Sequence, residues 1–323
     1  VIIGGGVSIL SGDARNGHGR FIIGEADESD GSFLKLNSYI AVVTNIEDDH
    51  LDYYGTEENI YKAFKQFLGN LVEGGKAILC VDNAKVKALA QEIDKEVITY
   101  GLEEADYVAK DICYGVDGTT YKLYYKDEFV TEVRLIVPGL HNVLNSVGAF
   151  VAAREMGIAD ETILKALEQF GGAKRRFETK GKVNGVWVVD DYAHHPTEIE
   201  VTLKAARQTQ PKRLLCLFQP HRYTRTQLLF KEFCNCFNDC DEVILTDIYA
   251  ASENPIPGIT SEALAEGISK ATGKAVTYIA KLPKAEEYLE AKATSGDLIL
   301  TVGAGDVFKV GEELVKELER KNK

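Results

Sequence analysis

Long apolar runs are what this 323-residue sequence most plainly lacks. None approaches the roughly 20 residues that span a bilayer, and no secretory signal is visible. The expectation is a soluble, cytoplasmic protein. Positive charge is also scarce, with 37 Lys and Arg against 50 Asp and Glu and a net charge of −13. That balance argues against non-specific binding to nucleic acid or anionic membranes. Arg175, Arg176, Arg222 and Arg225 therefore read as specific anion contacts. Cysteine is present six times, but without zinc spacing or a C-x-x-C pair. Cys234, Cys236 and Cys240 share a helical pattern with Phe230, Phe233 and Phe237, and read as small apolar core residues. Methionine occurs once, at Met156, and the chain starts at Val1 inside an apolar, strand-like run. Natural domains rarely begin mid-strand, so upstream sequence is expected. A phosphate loop of the form G-x-x-x-x-G-K-S/T is missing too, which is the main difficulty for reading the chain as a nucleotide enzyme.

The length suggests two domains. Phe21 to Ile23, Ile40 to Thr44, Ala77 to Val81 and Val97 to Tyr100 read as strands. Ile60, Phe64, Phe67, Leu68 and Leu71 recur at helical spacing over Glu57 to Leu71. Tyr107 to Val137 alternates as hairpins. After Pro138-Gly139, helices are expected over Asn142 to Glu155 and Asp160 to Phe170, with Asp160 as the cap and Ile163, Leu164 and Leu167 buried. The glycine-rich, basic stretch Gly171 to Arg176 is the linker candidate. Regular βα repetition follows, with strands Val186 to Val189, Leu214 to Phe218, Val243 to Thr246, Val276 to Ile279 and Leu298 to Val302. Ile199, Leu203 and Ala206 mark one intervening helix, and Val307, Val310, Leu314 and Leu318 the last. Such alternation implies an α/β chain with a doubly wound parallel sheet.

Chemistry-bearing residues gather where apolar runs end, which is where ligands bind in open α/β sheets. Asp190-Asp191-Tyr192-Ala193-His194-His195 follows one strand, and Gln219-Pro220-His221-Arg222-Tyr223-Thr224-Arg225 the next. Together they look like a site for an anionic substrate. Earlier in the chain, Glu25 to Asp30 and Thr44 to His50 follow neighbouring strands. Two acidic strand ends side by side repel unless a cation sits between them, and carboxylates with retained waters suit Mg²⁺. A neutral His50 completes such a site. Asn142 and Asn145 share a helix face, as a cap or as paired amides reading an adenine edge. Gly303-Ala304-Gly305-Asp306 is an anion-binding turn or a close strand–helix packing point.

EADESD, TNIEDDH, HNVLN, the RRFE of Arg175 to Glu178, DDYAHHPTEI, FQPHRYTRT and the terminal GAGD, in that order, resemble the Mur ligases of peptidoglycan precursor synthesis, specifically their alanine-adding branch. The resemblance covers essentially the whole chain but only two of the family's three domains. It implies residues 1–174 as the central, P-loop-type ATPase domain and residues 175–323 as the Rossmann-like C-terminal domain. The family's first central strand and phosphate loop lie upstream of the residues matching Val1. These 323 residues alone are therefore expected to be inactive. The implied reaction joins L-alanine to the lactoyl carboxylate of UDP-N-acetylmuramate, using ATP, through an acyl phosphate. Glu25 and His50 would hold Mg²⁺, and Asn142 and Asn145 would read adenine. Arg176 and Asp191 would orient nucleotide phosphate and ribose, while Tyr192, His194, Arg222 and Arg225 would line the alanine and acyl-phosphate pocket. Arg176, Asp191 and His194 are the implied catalytic residues. Where some relatives carry a carbamylated lysine, Phe64 is expected here. A monomer or homodimer is expected. The competing readings are another Mur-type amide ligase (muropeptide recycling or folylpolyglutamate synthesis), a metal-dependent hydrolase, or a non-catalytic nucleotide-binding fragment.

Overall fold

The computed structural model describes residues 1–323 except 8–11, 48–49, 116–117 and 322–323, and only the backbone of 3–7, 12–13 and 52. The chain divides into two compact units, Val1–Phe170 and Gly171–Lys323.

The first unit begins with an antiparallel pair, β1 (Ile2–Val7) and β2 (Gly12–Ala14), outside the main sheet. The main sheet has six strands in simple order: β3 (Ile40–Val43), β4 (Lys76–Cys80), β5 (Glu96–Gly101), β6 (Tyr107–Gly115), β7 (Gly118–Tyr125) and β8 (Glu128–Leu135). Strands β3 to β6 are parallel, and β6 to β8 form an antiparallel meander. The helices are α1 (Leu51–Tyr54), α2 (Glu57–Gly69), α3 (Ala84–Glu92), α4 (Leu140–Glu155) and α5 (Asp160–Gln169). Period-two alternation assigns β4 to two cores. Ala77 and Leu79 pack with Ile60, Phe67 and Leu68 of α2, whereas Ile78 and Cys80 pack with Val143, Val147 and Phe150 of α4. Thr56 caps α2 by accepting from the Asn59 amide, and Asn83 caps α3 through the Val86 amide.

Two local expectations fail here. Phe21 to Ile23 is not a strand: only a single bridge joins Gly24 to Ile2, and Phe21, Ile22 and Ile23 are 43%, 86% and 52% exposed. An exposed apolar triplet that touches β1 only through Ile2 does not extend into a ladder. Asp160 is not the cap of α5 either; Ala159 holds that position, and Asp160 instead faces Arg154 Nε at 3.4 Å.

The second unit contains β9 (Glu178–Val183), β10 (Val186–Asp191), β11 (Arg213–Phe218), β12 (Glu242–Leu245), β13 (Ala275–Tyr278) and β14 (Asp297–Val302) in the order β13-β12-β11-β14-β10-β9. All neighbours are parallel except β9, which pairs antiparallel with β10. Its helices are α6 (Pro196–Gln208), α7 (Tyr223–Leu228), α8 (Phe230–Asn235), α9 (Ser261–Thr272), α10 (Leu282–Lys292) and α11 (Phe308–Arg320). Leu214, Cys216 and Phe218 face the core shared with α6, α8 and α9, and Leu215 and Leu217 face the core shared with α10 and α11. Cys234, Cys236 and Cys240 are buried in the first of these cores, as small apolar residues should be.

Strand β9 is the element that the apolar-run reading overlooks, because Glu178, Lys180 and Lys182 interrupt it. Its signal is the Asn184-Gly185 turn, with φ of 56° and 75°, the positive pair that a two-residue hairpin turn requires. A Cβ on Gly185 would also lie 2.2 Å from Ser295 Oγ. Gly185→Ala is therefore expected to lower the stability of this unit by about 1–3 kcal/mol. Thermal unfolding reads this, and an unchanged midpoint would contradict it.

Candidate functional site

In the second unit, functional side chains collect at the carboxyl ends of β10, β11, β12 and β14. Strand β10 runs two residues further than its apolar stretch, carrying Asp190 and Asp191 into the sheet at 0% and 5% exposure. Buried carboxylates need donors. Asp190 receives Arg175 Nε at 3.0 Å and the Thr301 hydroxyl at 2.7 Å. Asp191 accepts from the Phe177 amide at 2.7 Å and the Ala193 amide at 2.8 Å. Burial pushes the Asp191 carboxyl up to about 6, against the pull of those two amides and of Arg176. Burial also pushes Asp190 up, offset in part by Thr301 and Arg175.

Beyond Asp191 the chain turns into α6. Pro196 opens the helix, His195 Nδ1 accepts from the Thr197 amide at 3.4 Å, and Glu198 reaches back to the amides of His194 and His195 at 2.9 and 3.2 Å. His195 is thus used as a cap. Glu198 also lies 3.8 Å from Arg176 Nη1 and 3.5 Å from His194 Nδ1. His194 Nδ1 is 3.0 Å from the Tyr192 carbonyl. Burial, first of all, lowers the His194 pKa below its usual value, and Arg225 and Arg176 lower it further.

The β11 and β12 ends are tied to each other. The Tyr249 amide donates to the Pro220 carbonyl at 2.8 Å, and the Arg222 amide to the Tyr249 carbonyl at 2.9 Å. The ring of Tyr249 stacks on His221, with centroids 5.5 Å apart and planes 9° apart. His221 lies 6.0 Å from His194, which lies 5.3 Å from Tyr192. Four rings therefore run across the sheet edge. Arg225 Nη1 donates to His221 Nδ1 at 3.2 Å. Burial and the Arg225 charge bring the His221 pKa down to about 4. Arg222 is exposed and 3.9 Å from Glu253, which also accepts from the Thr224 amide and hydroxyl at 3.0 and 2.6 Å. Arg176 lies 5.9 Å from the Tyr192 ring centroid.

The sequence-predicted residues Arg176, Asp191, Tyr192, His194, Arg222 and Arg225 thus share one sheet edge. Sequence reasoning missed Tyr249 and Glu253; it read Arg175 as an anion contact and placed Asp190 in the strand-end motif without seeing that the two pair with each other. Tyr249 was findable, because Asp247-Ile248-Tyr249 follows β12 as the other motifs follow their strands. The Gly303–Asp306 turn resolves toward packing: a Cβ on Gly303 would lie 2.7 Å from the Gln219 carbonyl, and one on Gly305 2.3 Å from Gln219 Oε1.

In the first unit, a cavity of about 240 Å³ opens at the carboxyl end of β3, lined in part by Glu28, Thr44, Asn45, Glu47, His50 and Phe64. His50 Nε2 is 3.6 Å from Glu28 Oε1, and Asn83 donates to Glu47 at 3.0 Å. The Tyr54 hydroxyl donates to the Glu28 carbonyl and fixes that loop. Glu25, the expected partner of His50, donates its amide to the Ile2 carbonyl at 2.9 Å and is not among the described residues lining the cavity. Asp48 and Asp49 of the same motif lie outside the described residues. Among the described residues, no three His, Cys, Asp or Glu side chains form a closed metal cage. Mg²⁺ does not need one, since it takes one or two carboxylates and completes its shell with phosphate and water. The donor set fits that mode. On α4, Asn142 donates to the Pro138 carbonyl at 2.7 Å, and Asn145 is exposed one turn on.

The candidate residues thus lie in two α/β units, one with an acidic cavity at its β3 edge and the other with an arginine- and imidazole-rich sheet edge. The Mur ligase middle domain matches residues 6–153 and the Mur ligase glutamate ligase domain residues 175–305. The chain belongs to the Mur ligase family. Within it, the UDP-N-acetylmuramate–L-alanine ligase of Desulforamulus reducens is 49% identical over 323 residues, covering 99% of this chain and 70% of that protein. The protein of the same name from Pelotomaculum thermopropionicum is 45% identical over 325 residues, covering 100% of this chain and 70% of its own. The crystal structure of UDP-N-acetylmuramate–alanine ligase from Thermotoga maritima matches with a TM-score of 0.84 at 26% identity, over 99% of this chain and 69% of that one. The MurF ligase of Thermotoga maritima in complex with ADP shares the fold, with a TM-score of 0.73 at 21% identity over 92% of this chain and 67% of that one.

Because the folded pKa of Asp191 is raised, the native state holds a proton that the unfolded chain releases between roughly pH 4 and 6. This group's contribution to stability is full below pH 4 and is lost as pH rises through about 6. Asp191→Asn should remove that loss. Its stability relative to wild type is expected to climb by on the order of 2–3 kcal/mol from pH 4 to pH 7. Urea unfolding across that range measures it, and a pH-independent difference would sink the assignment.

Proposed function

We propose that this protein joins L-alanine to the lactoyl carboxylate of UDP-N-acetylmuramate, using ATP, through an acyl phosphate. The observation that carries the reading is 49% identity to a UDP-N-acetylmuramate–L-alanine ligase across 99% of the chain, with Arg222 and Arg225 set beside neutral imidazoles on one sheet edge. The neutral amine of an amino acid attacks the acyl phosphate, the new C–N bond forms, phosphate leaves, and the amine's surplus proton must be accepted.

In this reading Arg222 and Arg225 grip the amino-acid carboxylate, for which a guanidinium fork is the geometric complement. Tyr192 and His194 orient the amine, and a neutral His194 has a ring nitrogen able to accept from it. Arg176 and Asp191 orient nucleotide phosphate and ribose, and Asn142 and Asn145 read adenine. His50, with Glu25 as inferred from the resemblance and Glu28 and Glu47 from the cavity, holds Mg²⁺. When bound, Mg²⁺ supplies neutralisation of charge on the γ-phosphate and incoming carboxylate. Residues 1–174 then form the nucleotide-binding domain and 175–323 the amino-acid domain.

The test is amide formation by these 323 residues, alone and joined to the part of the Desulforamulus reducens ligase they do not cover. Product dependent on ATP, UDP-N-acetylmuramate and L-alanine supports the reading. Preference for glutamate or a tripeptide, or phosphatase activity with Mg²⁺ and no ATP, overturns it. Arg222→Ala and Arg225→Ala should each raise the KM for L-alanine about 10- to 100-fold, the loss of one charge-assisted hydrogen bond, with little change in the KM for ATP. Equal effects on both KM values would contradict the carboxylate role.

A further inference from the structure

Arg175 has no part in the proposed reaction, yet its side chain is heavily engaged at the sheet edge. Its backbone is in the left-handed region, with φ of 58°. Its carbonyl accepts from the Tyr192 amide at 2.6 Å, and its own amide donates to Glu178 at 2.8 Å. The guanidinium sends Nε to buried Asp190 at 3.0 Å, Nη1 to the Gly305 carbonyl at 3.2 Å and Nη2 to the Gly303 carbonyl at 2.5 Å. It lies 4.9 Å from the Tyr192 ring centroid and 4.6 Å from that of Phe308. One planar group thus joins the end of β10, the loop before α6, and the turn between β14 and α11.

We propose that Arg175 is a positioning residue for amino-acid binding: anchored on Asp190, it holds the Tyr192–His194 loop and the Gly303–Gly305 turn in the register that shapes the pocket. The inference rests on the proposed function and adds a residue that need not touch substrate. Two lines of contact lead outward from it. One runs through Tyr192, which sits edge-on to His194 at 5.3 Å. The other runs through Gly305, on which a Cβ would fall 2.8 Å from Tyr249 Cγ, so that the turn packs directly beneath the ring that stacks on His221 and hence beside Arg225. Lysine cannot replace this arrangement, because a single ammonium lacks the planar fork that serves a carboxylate and two carbonyls together. Asp190 explains why the anchor is fixed: a carboxylate at 0% exposure keeps its partner in place.

The experiment uses the full chain and four variants: Arg175→Lys, Arg175→Met, Asp190→Asn and the double Arg175→Met/Asp190→Asn. Hydrogen exchange at the amides of Tyr192 and Gly303 is read without substrate, and L-alanine affinity by calorimetry. Exchange at both sites is expected to accelerate about tenfold or more in Arg175→Lys and Arg175→Met. L-alanine affinity should fall about tenfold. In the double variant the thermal midpoint should return toward wild type, since no charge is left buried without its partner, while exchange and affinity stay impaired. Recovery of exchange and affinity together with the midpoint would reduce Arg175 to a merely structural role and overturn the proposal. So would wild-type exchange in Arg175→Lys. If the chain joined to the part of the Desulforamulus reducens ligase it does not cover still ignores L-alanine, the proposed function fails and the exchange data alone decide on Arg175.

Discussion

Two adjacent carboxylates at the end of a buried strand are the constraint on which the second unit's functional edge is built. Side chains of neighbouring strand residues point to opposite faces, so Asp190 and Asp191 cannot share a single counter-charge. Asp190 turns toward Arg175 and Thr301, and Asp191 toward the amides of Phe177 and Ala193. Each solution recruits a different piece of chain. The first ties β10 to β14 and to the segment before β9. The second closes the turn that leads into α6 and sets where Tyr192 and His194 emerge. A strand of the same length ending in valines would pack as well and would organise none of this.

The strand-end logic was legible in the sequence because it follows from hydrophobic runs alone. Val186–Val189 and Leu214–Phe218 are continuous apolar segments, and wherever one stops, the next few residues occupy the ligand edge of a parallel sheet. That alone places Tyr192, His194, Arg222 and Arg225 at one edge. Strand β9 escaped the same reasoning for a physical reason. It is an antiparallel edge strand whose charged residues, Lys180 among them, form ion pairs with Glu178 and Glu312 at 2.9 and 3.2 Å instead of presenting an apolar face. Phe21 to Ile23 erred in the opposite direction, since apolar character with a single bridge to β1 and no covered face does not make a ladder.

The acidic cavity of the first unit shows where a motif stops being informative. EADESD offers four carboxylates in six residues, and a sequence cannot say which one turns inward. The answer depends on the Ser32–Lys35 3₁₀ turn and on the Tyr54 hydroxyl, which pins the Glu28 carbonyl from 26 residues away. Glu28 and Glu47 consequently line the space with His50, and Phe64 supplies an apolar wall from α2. Spacing identifies the cluster, whereas the selection within it comes from contacts distant in sequence.

The charge distribution at the second unit's edge carries the argument one step further. A chain with net charge −13 places Arg176, Arg222 and Arg225 around two imidazoles. Burial first holds both His194 and His221 below their usual pKa, with Arg225 acting in the same direction on each and Glu198 pulling His194 the other way. At neutral pH the positive charge of the edge therefore comes from its arginines alone, and its histidines act as hydrogen-bonding groups without charge. The Arg225–His221 contact at 3.2 Å requires this, because Nδ1 can accept from a guanidinium only when it carries no proton. Under the proposed function the same neutrality serves the reaction. An amino acid arrives with its carboxylate matched to fixed positive charge and its nitrogen facing rings that can accept a hydrogen bond. A protonated imidazole in either position would repel the ammonium form and could not take a proton from it. The arginines thus perform two tasks through one field: they attract the anionic end of the substrate and keep the neighbouring bases free to meet the other end.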